Sequence, residues 1–398
     1  MGAATPGRTV VSRDIVEAPL VSALHTVPPS VPVLVGGCGS GRTTTLYSLR
    51  RRLGASACQY IDVERTATTP ERFLRALVEG SPFAMQETVR TVRTAREAYD
   101  RTLAFLATAK SGASDPATFL LDEFLELRTF ASFPGLRHAV DELLRVLATS
   151  GNRFVLTSRY ASRAARLLRV ADRPFVRVEA VPFAVSDVRA VLEEVGRENP
   201  GPVPPERFEA DADEFSRIIH LLSGGQPACV RAICEAMGIQ RQRGSGDPVS
   251  ALAATLAPDG PLAERCLRSY EIRLHRARGY GALKAILDIL AEEEPLTLTE
   301  IARRLRRTPG STKDYLSWLE DVDLVVCGEK RYVFSSPILR LWVRLYCRPL
   351  PPTDDVVAHE IQQFVFDRLS QSLSGAAEAA GGAGRRQRTV KPAPSAQP

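Results

Sequence analysis

The run VPVLVGGCGSGRTT at residues 31–44 restricts this chain more than any other stretch of it. Val31 to Val35 is short, apolar and valine-rich, as a strand buried on both faces must be. Gly36 to Thr43 follows the pattern G-x-x-x-x-G-K-[ST] with one departure, Arg42 in place of lysine. Thr44 to Leu53 then carries a helical pattern. Strand, glycine loop and helix in this order make a turn whose backbone N–H groups point inward at an anion. The helix N-terminus adds a partial positive charge. The sequence therefore assigns Gly36, Gly37, Cys38, Gly39, Ser40, Gly41, Arg42, Thr43 and Thr44 to a phosphate-binding loop. In such a loop the cation at position 42 would reach the β- and γ-phosphates, and the Thr43 hydroxyl would sit on Mg²⁺.

A second motif follows where the first requires one. Thr118-Phe119-Leu120-Leu121-Asp122-Glu123 is an apolar strand ending in two carboxylates. Downstream of a phosphate loop, the first carboxylate, Asp122, would hold Mg²⁺. Glu123 would polarise the attacking water as a general base. The two motifs thus point to a nucleoside triphosphate and Mg²⁺ as cofactors.

Composition sets the outer bounds. A length of 398 residues suits two or three domains, and 44% hydrophobic residues is ordinary for a globular chain. No apolar run approaches the roughly 20 residues that cross a bilayer. Arg8, Arg13 and Asp14 interrupt any signal-peptide core, so a cytoplasmic location is expected, with no membrane partner. The seven cysteines show no disulfide framework, and Cys229 and Cys234 are not at a metal-ligand spacing. The five histidines form no local cluster, so no structural zinc is expected. A net charge of +6 permits contact with nucleic acid without demanding it.

Strands at Cys58–Val63, Thr118–Asp122, Phe154–Thr157 and Phe175–Val178 alternate with helical patterns at Pro70–Leu74, within 84–110 and at Asp141–Leu147. That alternation indicates a parallel sheet with helices on its faces. A helix at Ile15–Leu24, interrupted at Pro19, precedes the first strand. From Val185 the character turns helical, at 186–195, 213–222 and 227–237, with Ser186 as the expected cap of the first. Residues 240–262 read as linker and 262–277 as one long helix. The expected division is a nucleotide core at 1–185, a helical lid at 186–240, a linker and connecting helix at 241–280, a further module at 281–349, a C-terminal helix at 350–371 and a disordered tail at 372–398.

The order of these signals resembles the STAND and archaeal-type ATPases, within the wider AAA+ class of P-loop NTPases. The likeness spans residues 12 to 345 in layout. Phe154-Val155-Leu156-Thr157-Ser158-Arg159 is similar to the T-[ST]-R ending of a STAND sensor strand. The resemblance implies that Arg159 contacts the γ-phosphate and that Thr157 or Ser158 is the polar sensor. Gly225-Gln226-Pro227 resembles the G-x-P motif of the lid, which places Pro227 at a helix start facing the nucleotide. The fold implied is α/β, with a P-loop AAA+-like parallel sheet core, a helical lid and a C-terminal winged-helix domain. Arg128 and Arg137 are candidate arginine fingers, and nothing in the sequence chooses between them.

Within 281–349, a helix at Leu298–Leu305, a turn, a helix at Ser311–Leu319 and a hairpin on either side of Gly328-Glu329-Lys330 follow the winged-helix order. Arg303, Arg304, Arg306 and Arg307, with Lys330 and Arg331 on the wing, form the best basic patch for duplex DNA. Eleven Lys or Arg stand against ten Asp or Glu over this stretch, which is weak electrostatics for a DNA reader. A protein partner or a homo-oligomer fits the module equally well. Two functions therefore stand. One is an ATPase acting as a nucleotide-dependent switch that repositions the winged helix, with turnover slowed by Arg42. The other is a regulatory DNA- or protein-binding protein whose nucleotide site is degenerate and does not hydrolyse.

Overall fold

The computed structural model describes residues 13–26, 30–83, 92–112, 115–170, 175–199, 205–275, 277, 279–348 and 350–385. The helical pattern expected from residue 84 lies outside the described residues until 92, as does the expected tail from 386 onward.

Five strands form one parallel sheet: β1 (Val31–Val35), β2 (Cys58–Asp62), β5 (Thr118–Asp122), β6 (Arg153–Ser158) and β7 (Phe175–Glu179), in the order β2-β5-β6-β1-β7. A two-residue hairpin, β3 (Lys110–Ser111) with β4 (Asp115–Pro116), stands apart from it. Proline is uncommon in an interior strand because it cannot donate to a ladder. Here the pairing of β1 with β6 begins at Val33, so the missing N–H of Pro32 breaks nothing on that side.

The sheet's two faces follow from the period of two along each strand. Leu34, Leu120, Val155 and Val178 pack on one face against α1 (Asp14–Leu24) and α2 (Arg42–Leu53), through Val16, Leu20, Leu24, Leu46 and Leu49. The register that pairs Leu120 with Val155 puts Phe119 beside Phe154, stacked at 5.6 Å between ring centroids. Phe105 of α5 (Ala95–Thr108) meets Phe119 edge-on at 5.9 Å. Short helices α3 (Val63–Thr66) and α4 (Pro70–Glu79), a 3₁₀ helix over Phe124–Ser132, α6 (Ala139–Thr149) and α7 (Ala161–Val170) complete this layer of connections. Helix α1 runs through Pro19 without interruption. The residue is exposed, so the carbonyl it leaves unpaired faces water.

Beyond the sheet come α8 (Val185–Glu198), α9 (Pro205–Ser223), α10 (Pro227–Gln242), α11 (Pro248–Leu256) and α12 (Pro261–Leu274). Ser186 does not cap α8. The helix starts one residue earlier, and the Asp187 carboxylate accepts from the Ala184 N–H at 2.8 Å. Part of the stretch expected as linker is α11, capped by the Asp247 carboxylate on the N–H groups of Val249 and Ser250, with Pro248 at the first turn.

The chain continues through α13 (Tyr280–Glu292), β8 (Leu296–Thr297), α14 (Leu298–Leu305), α15 (Pro309–Asp321), β9 (Val325–Gly328) and β10 (Arg331–Phe334). The last three strands make an antiparallel sheet ordered β8-β10-β9. Last are α16 (Pro337–Tyr346) and α17 (Asp354–Arg385). The segment 372–385, expected as part of a disordered tail, is helical, in line with the helix propensity of its alanines and Glu378.

Two compact units emerge. One comprises the described residues to Phe183 together with Gln226–Cys229 and Ser269–Ser335. The other comprises Ala184–Gly225, Val230–Arg268 and the described residues from Ser336. Inside the second, Glu360 of α17 pairs with Arg344 and Arg348 at 2.5 and 2.8 Å, and Arg368 donates to the Leu221 carbonyl at 2.9 Å. Helix α16 thus joins the helical unit rather than the module that precedes it.

Candidate nucleotide site

Sheet order decides what meets at the strands' carboxyl ends. Strand β6 lies between β1 and β5, so the residues that follow all three strands converge. Gly36 leads out of β1, Asp122 closes β5 and Ser158 closes β6.

The glycine loop is held by its carbonyls. Arg42 Nη1 donates to the carbonyls of Gly36 and Gly37, the latter at 2.6 Å, and to the Ser40 hydroxyl at 3.1 Å. Gln226 Nε2 donates to the Cys38 carbonyl, and the Ala228 N–H to the Gly39 carbonyl at 3.1 Å. Arg13 Nη1 donates to the Ser40 carbonyl at 2.5 Å, while its Nη2 holds the Val181 carbonyl and its guanidinium lies 5.4 Å from the Phe183 ring centre. The opposite polarity is open. The N–H groups of Gly37, Cys38, Gly39, Gly41, Arg42 and Thr43 have no acceptor among the described residues. A loop whose carbonyls are tied and whose amides are open has the polarity of an anion cradle. Two glycines are sterically required. A Cβ on Gly36 would stand 2.8 Å from both the Ala180 Cβ and the Ser40 Oγ. Gly41 has φ +86 and packs under Arg13, with Pro227 3.9 Å from where its Cβ would be.

The acidic pair lies beside the loop. The Thr43 hydroxyl donates to Asp122 at 2.7 Å, and the Tyr60 hydroxyl at 2.9 Å. The Thr157 hydroxyl also donates to Asp122 and accepts the Glu123 N–H at 3.0 Å. Of the two candidate sensors, Thr157 therefore touches the acidic pair, and Ser158 instead accepts the Tyr160 N–H at 3.0 Å. Two hard oxygens, one hydroxyl and one carboxylate, suit Mg²⁺. No three His, Cys, Asp or Glu side chains gather as a metal site among the described residues. A magnesium ion here would need water and phosphate oxygens to complete its shell.

Glu123 sits in the left-handed region (φ 58, ψ 48), a conformation that costs a non-glycine residue about 1–2 kcal/mol. Such outliers cluster at functional sites. Its Oε1 pairs with Arg42 Nη2 at 2.5 Å and with Arg159 Nε at 3.2 Å, and its Oε2 accepts the Arg159 N–H at 3.0 Å. Burial would push this carboxyl up, but Arg42 and then Arg159 outweigh it and hold Glu123 below the usual glutamate range. Arg159 also pairs with Glu64. Neither Arg42 nor Arg159 is free to reach toward the loop's centre, because both are engaged with carboxylates.

Cations ring the loop at Cys38. Arg42, Arg159 and Arg273 are 8%, 6% and 5% exposed; the Nε of Arg42 and that of Arg273 are buried without a hydrogen-bond acceptor among the described residues, while that of Arg159 faces Glu123. Burial would raise the Cys38 thiol, yet Arg273, Arg159, Arg42 and a hydrogen bond with Ser269 bring it below its ordinary value. Arg13, Tyr60, Glu64 and Arg273 carry no local signature in the sequence, since each reaches the site from a distant segment. Gln226 stood inside the Gly225-Gln226-Pro227 motif and could have been read from it. Arg128 and Arg137 make no contact with these residues; burial, with Arg128 nearby, depresses the Arg163 guanidinium.

No protein-family model matches the chain, and no curated protein matches its sequence. Among solved structures it is similar to a Walker-type ATPase of Pyrococcus abyssi, 17% identical, with a TM-score of 0.60 over 86% of this chain and 99% of that one. Weaker likenesses, at 12% identity, are to RuvB of Thermotoga maritima (TM-score 0.37, 81% of this chain and 92% of that one) and to Drosophila ORC bound to DNA (TM-score 0.36, 80% and 90%). A five-stranded parallel sheet with a glycine loop after its first strand, matched along nearly the whole length of that Walker-type ATPase, gives this chain the same α/β fold.

Proposed function

We propose that this chain binds ATP with Mg²⁺ and acts as a nucleotide-dependent switch of the STAND or archaeal-ATPase kind, repositioning a winged-helix module that contacts DNA or protein. The observation that carries this reading is the cradle of open amides from Gly37 to Thr43, set beside Thr43 and Asp122. The amides hold phosphate oxygens, Thr43 and Asp122 hold the metal directly or through water, and Pro227 borders the loop at Gly41. Bound Mg²⁺ would supply charge to offset that building on the phosphoryl oxygens. Arg42 must leave Glu123 to reach phosphate, and Arg159 likewise. Glu123 can serve as a base only once it is released from both. Hydrolysis is therefore slow by construction. The alternative, a site that binds without hydrolysing, is favoured by one observation: both oxygens of Glu123 are occupied. Calorimetry with ATP and with ADP, each with and without Mg²⁺, tests the reading. Binding of ATP that strengthens with Mg²⁺ is the expected result, and no heat at millimolar ATP overturns it.

The segment from α13 to β10 has the element order of a winged helix. Arg303, Arg306, Arg307 and Lys330 are exposed; Arg304 pairs with Glu293 and Arg331 donates to the Pro295 carbonyl at 3.1 Å. DNA binding through this face would be phosphate contact. Roughly three to five contacts give a log–log salt slope of about −3 to −4.5. Fluorescence anisotropy on duplex DNA measures it. Binding untouched by neutralising Arg303, Arg306 and Arg307, or none at low salt, assigns the module to a protein partner. Among the described residues no helix is long and apolar enough to cross a membrane.

A further inference from the structure

Arg273 lies in the last turn of α12 and reaches two places. Its Nη2 is 4.0 Å from where a Cβ on Gly37 would stand, at the edge of the amide cradle. Its Nη1 donates to the Asp323 carbonyl at 3.0 Å, in the elbow between α15 and β9. Asp323 is a junction. Its backbone is left-handed (φ 53), and its carbonyl also accepts from the Ser335 hydroxyl at 2.7 Å. Its Oδ1 accepts the N–H and the hydroxyl of Ser162, at 3.3 and 2.9 Å, and its Oδ2 is buried without a partner. Arg166 pairs with Asp321 beside it. Ser162 and Arg166 belong to α7, which begins two residues after Arg159.

We propose that Arg273 is a phosphate ligand that works by exchange: it holds the Asp323 elbow when the loop is empty and turns to the phosphate when the loop is filled, so that α15 is released from α7. This rests on the nucleotide reading above and names the residue that would carry its signal. The preference is chemical. A guanidinium can meet an anionic phosphate bidentately and charge to charge, whereas a carbonyl offers it only a dipole. The side chain is already placed between the two acceptors, and a buried Nε–H awaits one. Among the charged groups near Cys38, Arg273 has the strongest effect on the thiol, which fits a cation aimed into the loop. Coupling of this kind is reciprocal. Whatever loosens the elbow's hold on Arg273 must tighten the nucleotide, and the reverse.

The test uses the full chain with ATP and Mg²⁺. Arg273→Ala should weaken ATP by roughly 10- to 100-fold, the worth of a hydrogen bond to a charged group. Arg273→Lys keeps the charge and should recover most of that loss. Ser162→Ala removes one donor from Asp323 and should tighten ATP by about two- to fivefold. Hydrogen exchange over residues 321–325 should rise when ATP is added to the wild type. In Arg273→Ala it should be high from the outset and indifferent to saturating ATP. A merely structural Arg273 predicts unchanged or weaker binding in Ser162→Ala. That result, or exchange at 321–325 that ignores ATP in the wild type, overturns the exchange while leaving nucleotide binding intact. A wild type that binds no ATP overturns both.

Discussion

Glu123→Gln should destabilise the empty protein and tighten ATP at the same time. Glu123 is the shared anion of two buried guanidiniums. Its neutral amide leaves Arg42 and Arg159 in a buried site with Glu64 alone to offset them, and removing one partner of a buried pair costs about 3–5 kcal/mol. The same loss frees both cations for phosphate, so ATP should bind about tenfold tighter or more. Turnover should fall by roughly 10²–10⁴, since the amide cannot take a proton. Urea unfolding, calorimetry and single-turnover hydrolysis read the three effects. Acid adds a fourth. The folded Glu123 carboxyl titrates below its unfolded value, which is about 4.3. The pair's contribution is complete above that value and disappears as pH falls through the folded pKa. Wild type should therefore lose stability below about pH 4 more steeply than Glu123→Gln. Equal stability of the two proteins at pH 7 would mean that the triad is not formed.

Arg42→Ala should be the most damaging change in the loop, and for a reason beyond phosphate charge. Arg42 ties the carbonyls of Gly36 and Gly37 and the Ser40 hydroxyl while pairing with Glu123. Alanine removes all of these, leaving two carbonyls without their donor and Glu123 with Arg159. A loss of about 3–5 kcal/mol in stability is expected, together with most ATP affinity. Arg42→Lys behaves differently. One ammonium cannot bridge the loop carbonyls and Glu123 as a planar fork does. The lysine protein should be somewhat less stable, bind ATP within a few-fold of wild type, and turn it over as fast or faster. Melting temperature, dissociation constant and single-turnover rate settle it. Wild-type affinity in Arg42→Ala would remove Arg42 from the site, and loss of binding in Arg42→Lys would show a loop rebuilt around arginine.

What was legible in the sequence is what lies within one short run. The loop at 36–43, the acidic end of β5 and the polar end of β6 are contiguous motifs, and the sheet order brings their strands side by side. The ties between them were not legible. Arg42 reads locally as a lysine substitute; its partner Glu123 is 81 residues on, and nothing nearby says that the two will neutralise each other. Arg13, Glu64 and Arg273 converge from three separate segments, a property of the tertiary fold alone. Helix α11 was hidden by a Gly-, Ser-, Pro- and Ala-rich composition, although the adjacent Asp247 and Pro248 were a cap and a first-turn proline in plain view. Ser186 was misread by two positions, the N-cap being Ala184, because a carboxylate at Asp187 caps from inside the first turn.

The division of the chain into its two units has a consequence for how the molecule is made. The path passes from one unit to the other at 183/184, 225/226, 229/230, 268/269 and 335/336. Neither unit is a continuous piece of sequence. On the ribosome the parallel sheet has all its strands by residue 179, while the helical unit waits for α16 and α17. Helix α9 packs on α8 and α11, but part of its cover comes from α16 and α17, which are made later. Nascent chains arrested before residue 337 should therefore hold an ordered sheet and an α9 that is only partly covered, the kind of species on which a chaperone would act. No truncation at a single point separates the two units cleanly. An attempt to express the helical unit alone would need its parts joined in an order the ribosome never presents.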